Sequence, residues 1–306
     1  KALISIFKRY NQWDIMSYFT ENWVNIVEED RWRLILESWN SRELLDVLLK
    51  WIKNNWCELK INSEVKKIKK IENNLYEIIT IKDKKYISKN VIISSWGKSF
   101  FQVWTTWDWY NFAKDFWINI IPPYRSLCWL TTKKDLSSLS GSSINLELIL
   151  KDNKKEVYSE FWPLLFTHFW ISWPIVFNAS NALWEYLNSI KIESEQEKIK
   201  YILDNIKMEL VIDKDKVTKK IYNFFKIEIE NNEIIEFWLQ DWRSWKEAKA
   251  TWWWIDINEL DNNMQSKKHK WLYFIWEVVD ITGKTWWFNL QWAWSSSFVC
   301  SKNFDN

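Results

Sequence analysis

Residues 271–294 read WLYFIWEVVDITGKTWWFNLQWAW, and this stretch indicates the class of the fold. The short apolar run Trp271–Ile275 is typical of a buried strand, and Leu290–Val299 has the character of an apolar helix. The turn between them begins with Trp276 and Glu277. Ligands of open α/β sheets bind in the crevice outside the carboxyl ends of the strands. The stretch therefore predicts an α/β domain with a ligand site at this turn.

A second strand and turn lie far away in the sequence. Val91–Ser94 is another short apolar run, typical of a buried parallel strand, and it leads into Ser95-Trp96-Gly97. The intervening chain has a different texture, with short strand-like pieces and a Lys/Glu-rich helical stretch at 193–210. We therefore expect one α/β domain built from both ends of the chain, with an inserted domain between them. The predicted parts are residues 1–121, 122–247 and 248–306.

Local patterns predict the elements before the second strand. Residues 1–30 favour two short helices, and residues 40–55 favour a helix with leucines on one face. A strand is expected at Glu58–Ile61. A small antiparallel meander is predicted to follow, with strands at Val65–Ile71, Leu75–Lys82 and Tyr86–Ile87.

The composition is anomalous, with 28 tryptophans and 3 glycines. Average proteins contain roughly 7% glycine. Many of the tryptophans stand where glycine is expected: Trp51 and Trp56 follow helical runs, and others run consecutively at 252–254 and 286–287. We interpret most of them as glycines encoded by UGA, a codon that certain bacterial lineages read as glycine. The alternative is a truly tryptophan-rich, aromatic binding or membrane-associated protein.

The net charge, the cysteines and one uncharged segment indicate which kinds of partner the protein binds. The formal charge is only +2, with both signs interspersed, and this gives no electrostatic case for nucleic acid. Three scattered cysteines predict reduced thiols in a cytoplasmic protein, and no His/Cys cluster predicts a metal site. The uncharged segment 161–183 is long enough to span a bilayer, but two prolines and several polar residues favour a buried turn. We expect no nucleic-acid or membrane partner and a small-molecule substrate.

With glycine restored, the chain resembles the BaiN-type, aminoacetone-oxidase-like family of FAD/NAD(P)-dependent oxidoreductases. Four segments carry the resemblance: VIISSWGKSFFQVWTTWDWYNFAKDFW (91–117), LLFTHFWISWPIVF (164–177), residues 250–294, and a weaker stretch around Trp23–Arg33. The family has an aromatic residue or a true tryptophan at positions 292 and 294. This leaves 26 of the 28 tryptophans as candidate glycines.

The resemblance implies a Rossmann-type FAD-binding domain with an inserted β-barrel/helical domain. It also implies hydride transfer between the flavin N5 and a small organic substrate, with NAD(P)H as the reductant. The family's opening βαβ unit, with its G-x-G-x-x-G loop, is absent, so the FAD-binding domain is expected to be incomplete at its N-terminus and inactive. A non-catalytic remnant is the alternative. The implied cofactor-binding residues are Val65, Ser95, Trp96, Gly97, Trp276, Glu277, Trp286, Trp287, Phe288, Asn289 and Leu290.

Two residues outside that set are candidates for chemistry or for loop structure. His168, within an F-T-H element of the resemblance, is a candidate acid/base at neutral pH, with a structural role in a buried turn as the alternative. Asp280 is expected to hold the 277–285 loop through an Asx turn, rather than to bind the ligand.

Overall fold

The computed structural model describes residues 2–29, 33–96, 108–121, 124–192, 194–242, 250–252, 255–281, 283 and 286–304. The first helices are α1 (Ala2–Arg9) and α2 (Gln12–Glu21), as the sequence predicts. Asn11 and Asp14 form a capping box at the start of α2, which satisfies backbone N–H groups that the helix leaves free. A hairpin of β1 (Ile26–Glu29) and β2 (Arg33–Leu36) precedes α3 (Arg42–Asn54).

An antiparallel sheet follows, made of β3 (Val65–Lys70), β4 (Tyr76–Thr80) and β5 (Lys85–Ser88). It confirms the predicted meander. The strand expected at Glu58–Ile61 is wrong, because this segment is irregular and Ile61 is 74% exposed. Apolar alternation there finds no neighbouring strand to pair with, and an unpaired strand is not stable in water.

The two apolar runs predicted as strands, near residues 91–94 and 271–275, pair with each other, as expected of a sheet built from both ends of the chain. They are β6 (Val91–Ile93) and β15 (Leu272–Phe274), which run parallel with Phe274 opposite Ile93. Helices α4 (Asp108–Asp115) and α9 (Trp286–Ser301) flank them, and β7 (Tyr124–Ser126) pairs with β14 (Ala250–Trp252). Buried side chains from both ends of the chain form one core here, among them Ile93, Trp109, Phe274 and Val299.

The middle of the chain forms a closed six-stranded barrel, the β-barrel/helical part of the expected fold. Its strands are β8 (Leu130–Thr132), β9 (Ser143–Asp152), β10 (Lys155–Phe166), β11 (Trp170–Ser172), β12 (Ile206–Val211) and β13 (Ile234–Trp242). Its helices are α5 (Pro174–Ser189), α6 (Glu195–Asn205), α7 (Lys219–Phe224) and α8 (Lys226–Asn232). The domain boundaries at 121/122 and 247/248 stay predictions.

Two predictions for the barrel region meet different outcomes. The uncharged segment 161–183 contains the end of β10, β11 and half of α5, and no helix in the described chain is long and apolar enough to cross a bilayer. The helix expected over 193–210 is wrong in its last five residues. It ends at Asn205, and Ile206–Val211 pairs with both β9 and β13. Long-range pairing overrides the local helical pattern there.

Tryptophan occupies left-handed backbone positions throughout the described chain. Sixteen described residues other than glycine have positive φ, and seven of them are tryptophans: Trp23, Trp39, Trp56, Trp117, Trp173, Trp271 and Trp276. An L-residue pays a steric penalty in this region, whereas glycine has no Cβ and enters it freely. Trp173, with φ 89° and ψ 168°, lies in a region that is essentially restricted to glycine.

Three helices end in the same way, with tryptophan at the position that glycine favours. After α2 the Trp23 N–H donates to Thr20 O at 3.0 Å, and the N–H of the next residue donates to Phe19 O. The same pair of bonds closes α3 at Trp56 and α4 at Trp117. This is the Schellman motif, whose left-handed residue is usually glycine. All three indoles are 84–95% exposed and have no packing that would justify a large side chain.

Candidate functional site

The candidate site lies where β6 and β15 end side by side. Ile275 N donates to Ile93 O at 3.1 Å, so the chain leaves both strands at the same edge. The residues that follow, Trp96 and Trp276, meet there with their ring centroids 5.1 Å apart. The structure thus brings together two residues that the resemblance assigned to one cofactor site, and it does so at the carboxyl ends of parallel strands.

Helix α9 fixes the backbone at the end of β15. Trp276 N donates to Ser296 Oγ at 3.2 Å, and Trp292 Nε1 donates to Trp276 O at 3.0 Å. Ser296 and Trp292 are both buried. Residue 276 has a φ of 66°, so its backbone is held in the left-handed conformation by two side chains of α9. Trp292 fits here as a true tryptophan, because its indole N–H makes a hydrogen bond that glycine cannot make.

The start of α9 presents a free donor. Asn289 accepts a 2.9 Å hydrogen bond from Gly283 N through Oδ1, while its Nδ2 is buried and has no partner among the described residues. A buried amide N–H without an acceptor is costly, so this group favours an acceptor supplied by a ligand. A Cβ at Gly283 would lie 2.1 Å from the Phe288 Cβ, so only glycine fits that approach. The unpartnered Nδ2 fits a ligand that supplies a hydrogen-bond acceptor near the start of α9.

Asp280 adds an unusual carboxyl group to the same turn. Burial, with a smaller contribution from the negative charge of Asp256, raises the pKa of the Asp280 carboxyl from 3.8 to about 6. Its backbone N–H donates to Ile255 O at 2.9 Å, which ties the turn to the neighbouring segment. The Asx turn expected for Asp280 would involve residue 282, which lies outside the described residues.

The other predicted cofactor-binding residues differ in burial, and some of them lie outside the described residues. Val65 begins β3 and packs against the same core as Trp276, and Glu277 is half-buried directly after it. Phe288 is exposed and Leu290 is half-buried in the first turns of α9. Ser95 is exposed next to Trp96, and Gly97 lies outside the described residues, as do the side chains of Trp286 and Trp287.

His168 lies elsewhere. It is exposed in the turn between β10 and β11, where its carbonyl accepts a hydrogen bond from Leu136 N and its ring lies 6.1 Å from Trp170. The alternative of a structural role in a buried turn is therefore wrong, and its contacts in the described chain, Leu136 and Trp170, belong to the barrel region. Its catalytic role stays a prediction.

The sequence reading missed a residue that links the barrel to this turn. Asn181 on α5 is 6% exposed; its Oδ1 accepts from Leu127 N at 3.0 Å and its Nδ2 donates to Gly283 O at 3.4 Å. It therefore connects the barrel with the loop that leads into α9. The available signal was the polar pair Ser180-Asn181 within an otherwise apolar helical run.

A comparison with known protein families accounts for this arrangement. The sequence profile of the HI0933-like protein Rossmann domain matches residues 1–303. The chain belongs to this family. The Rossmann part of the predicted fold class is thereby confirmed, and the family is one of FAD-binding, oxidoreductase-like proteins.

Two curated relatives carry a name that refers to ribosomal RNA, a substrate class that the sequence of this chain did not indicate. The chain is 27% identical to a "Ribosomal RNA dihydrouridine synthase" of Haemophilus influenzae, over 97% of this chain and 80% of the relative. It is 22% identical to a protein of the same name from Escherichia coli, over 98% and 80% of the two chains. The names of these relatives overturn the expectation of no nucleic-acid partner, which rested on net charge alone.

Proposed function

We propose that this protein is a flavin-dependent reductase that acts on uridine in ribosomal RNA, with NAD(P)H as the source of reducing equivalents. One observation carries the proposal: the residues that follow β6 and β15 meet beside α9, which holds the backbone of residue 276, in a chain of an FAD-binding family. The name that the two relatives share supports ribosomal RNA as the substrate. Ribosomal RNA and reduced cysteines both favour the cytoplasm as its location.

The described residues have distinct tasks in this function. A bound flavin supplies the hydride that saturates the C5–C6 double bond of uracil, and a proton completes the addition. With a flavin bound, Asn289 Nδ2 would donate to an acceptor atom of the cofactor, and the start of α9 would favour electron-rich groups. Glu277 would accept hydrogen bonds from flavin-side hydroxyl groups, as the family resemblance implies. Asp280, whose pKa lies near 6, holds a proton on its carboxyl more readily than an ordinary aspartate.

The proposed cofactor requires glycine at several printed tryptophans. The Trp96 and Trp276 rings meet at the strand ends, in the space that a flavin would enter. We propose that these two residues, together with Trp286 and Trp287, are glycines encoded by UGA. Support comes from the seven left-handed tryptophans and the three Schellman motifs, most of which are far from the cofactor site in sequence. Sterics at those positions favour glycine whatever the protein binds.

Mass spectrometry of the protein from its native organism tests directly whether these positions carry glycine. Tryptic peptides that contain positions 23, 56, 117 and 276 are expected at the masses calculated with glycine. The peptide that contains Trp292 and Trp294 serves as the internal control and should retain both tryptophans. Intact tryptophan at the four left-handed positions would refute the reading.

The flavin proposal is tested with the glycine-restored chain, expressed from the full-length gene with glycine at every tryptophan except Trp292 and Trp294. Titration with FAD should give the visible spectrum of a protein-bound flavin. Reaction with NAD(P)H and unmodified ribosomal RNA should then produce dihydrouridine. The matched control restores glycine everywhere except position 276, where the indole should block FAD. A folded glycine-restored chain that does not bind FAD would contradict the proposal.

A further inference from the structure

The positive charge of the chain is concentrated in one segment. Residues 60–89 contain nine lysines and four acidic residues, a net charge of +5. The whole chain carries only +2, so all other residues together are negative. A small net charge therefore conceals a strongly basic region on a slightly acidic protein, and such a region determines which polyanions the surface attracts.

The antiparallel sheet places three of these lysines, Lys67, Lys69 and Lys85, on one surface. Lys67 and Lys85 lie opposite Ile79 on its two sides, and Lys69 lies opposite Glu77 in the next row. Directly opposed residues share a face of an antiparallel sheet. Ile68 and Tyr76 lie on the other face, and both are buried in the core. The sheet therefore has one face that packs inward and one basic face that is turned to solvent.

Six of these nine lysines form no ion pair within the part of the chain that the structure describes, whereas Lys60 pairs with Glu58. Lys66 pairs with Asp83 and Lys85 pairs with Glu77, at 3.6 and 3.2 Å. Within the described chain no ion pair involves the remaining exposed lysines of the sheet and its flanks, which are Lys67, Lys69, Lys70, Lys82, Lys84 and Lys89. Free ammonium groups at this density repel one another, and a polyanion relieves that repulsion.

The basic surface continues onto the parallel strands. Tyr76 donates a 2.7 Å hydrogen bond to Lys270 O, although the two residues are 194 positions apart. Leu272 pairs with Val91, so Lys270 and Lys89 stand at equivalent positions just before β15 and β6. Both lysines are exposed. Lys89 and Lys270 thus extend the basic surface to the amino ends of the strand pair whose carboxyl ends form the candidate site.

We propose that this basic face, formed by the outer side of β3–β5 with Lys82, Lys84, Lys89 and Lys270, binds the phosphate backbone of the RNA substrate. The inference rests on the proposed function for the identity of the polyanion. Contacts between lysines and phosphates position a nucleic acid without reading its sequence, which leaves selection of the target base to the site itself.

Two charge-matched variants of the glycine-restored chain test the inference. The sheet variant carries Lys67→Gln, Lys69→Gln, Lys82→Gln and Lys84→Gln. The control variant carries Lys50→Gln, Lys154→Gln, Lys200→Gln and Lys219→Gln, four exposed lysines outside the basic face. The two variants have equal net charge, so any difference between them reports position. FAD binding should be unchanged in both and shows that each is folded.

Binding of in vitro transcribed ribosomal RNA is measured as a function of salt concentration. The sheet variant should bind at least about tenfold more weakly at low salt, with a slope of log K against log [salt] smaller by about 3. The control variant should retain the affinity and slope of the parent. Equal RNA binding by the two variants would overturn the inference. Formation of dihydrouridine by the parent is scored separately, so its absence rejects the proposed function and leaves the binding result intact.

Discussion

At the scale of single residues, the left-handed tryptophans make a prediction that is independent of any cofactor. Trp56 is 95% exposed with a φ of 56°, so its side chain adds little packing while its Cβ opposes the backbone conformation. Trp56→Gly should be about 1 kcal/mol more stable than Trp56→Ala, because only glycine removes the Cβ. Chemical denaturation of both variants measures the difference. Equal stabilities would show that this C-cap tolerates an L-residue.

The raised pKa of Asp280 predicts how the free energy of unfolding depends on pH. Its pKa is raised to about 6 in the folded chain from 3.8, so its protonated form contributes stability that is fully present below about pH 4. That contribution is lost as the pH rises through 6, and a shift of this size corresponds to about 2–3 kcal/mol. Asp280→Asn should remove this loss and be more stable than the parent at pH 7. Free energies of unfolding measured from pH 4 to 8 check this.

The matched control for that measurement is Asp115→Asn, at an exposed aspartate that ends α4. It should leave the pH dependence of the parent in place. If Asp280→Asn and Asp115→Asn give the same profile, burial does not control the Asp280 carboxyl.

At the scale of elements, α5 connects the barrel to the candidate site through Asn181. Asn181→Ala leaves the buried Leu127 N–H without its acceptor, at a cost of about 1–3 kcal/mol, and it frees the loop at Gly283. The FAD dissociation constant of the glycine-restored chain should rise several-fold. Asn178→Ala, one turn earlier on the same helix, removes a bond to Glu160 instead. It should lower stability and leave FAD affinity unchanged.

Elements were predictable from the sequence where local pattern and long-range pairing agree. The meander has an alternating pattern, and β6, β15 and α9 have apolar runs, and the folded chain uses these patterns directly. Ile206–Val211 was not predictable, because its strand conformation depends on β9 and β13, which come from distant parts of the chain. Asn181 was missed for a related reason, since the contact between α5 and Gly283 spans 102 residues.

At the scale of the whole molecule, sequence totals hide spatial asymmetry. The net charge of +2 argued against nucleic acid, yet nine lysines lie within residues 60–89, and the sheet formed there turns several of them to solvent. Charge acts through its local density, because screening limits its reach to roughly 8 Å at physiological salt. The candidate site shows the same principle, since residues 96 and 276 meet only after the chain has completed the barrel between them.

The molecule has two separate cores, and we expect FAD to protect only one of them. The barrel has its own buried cluster, while a second cluster joins β6, β15 and α9 from opposite ends of the chain. A ligand stabilises the states that bind it, by about 2.7 kcal/mol at a concentration of 100 times its dissociation constant. FAD should therefore slow amide exchange roughly hundredfold in residues 91–96 and 272–292 of the glycine-restored chain, and leave residues 206–211 of β12 nearly unchanged. Hydrogen exchange with mass spectrometry measures both regions together. Equal protection of β12 would mean that the two cores open as one unit, and the variant that keeps Trp276 should show no protection in either region.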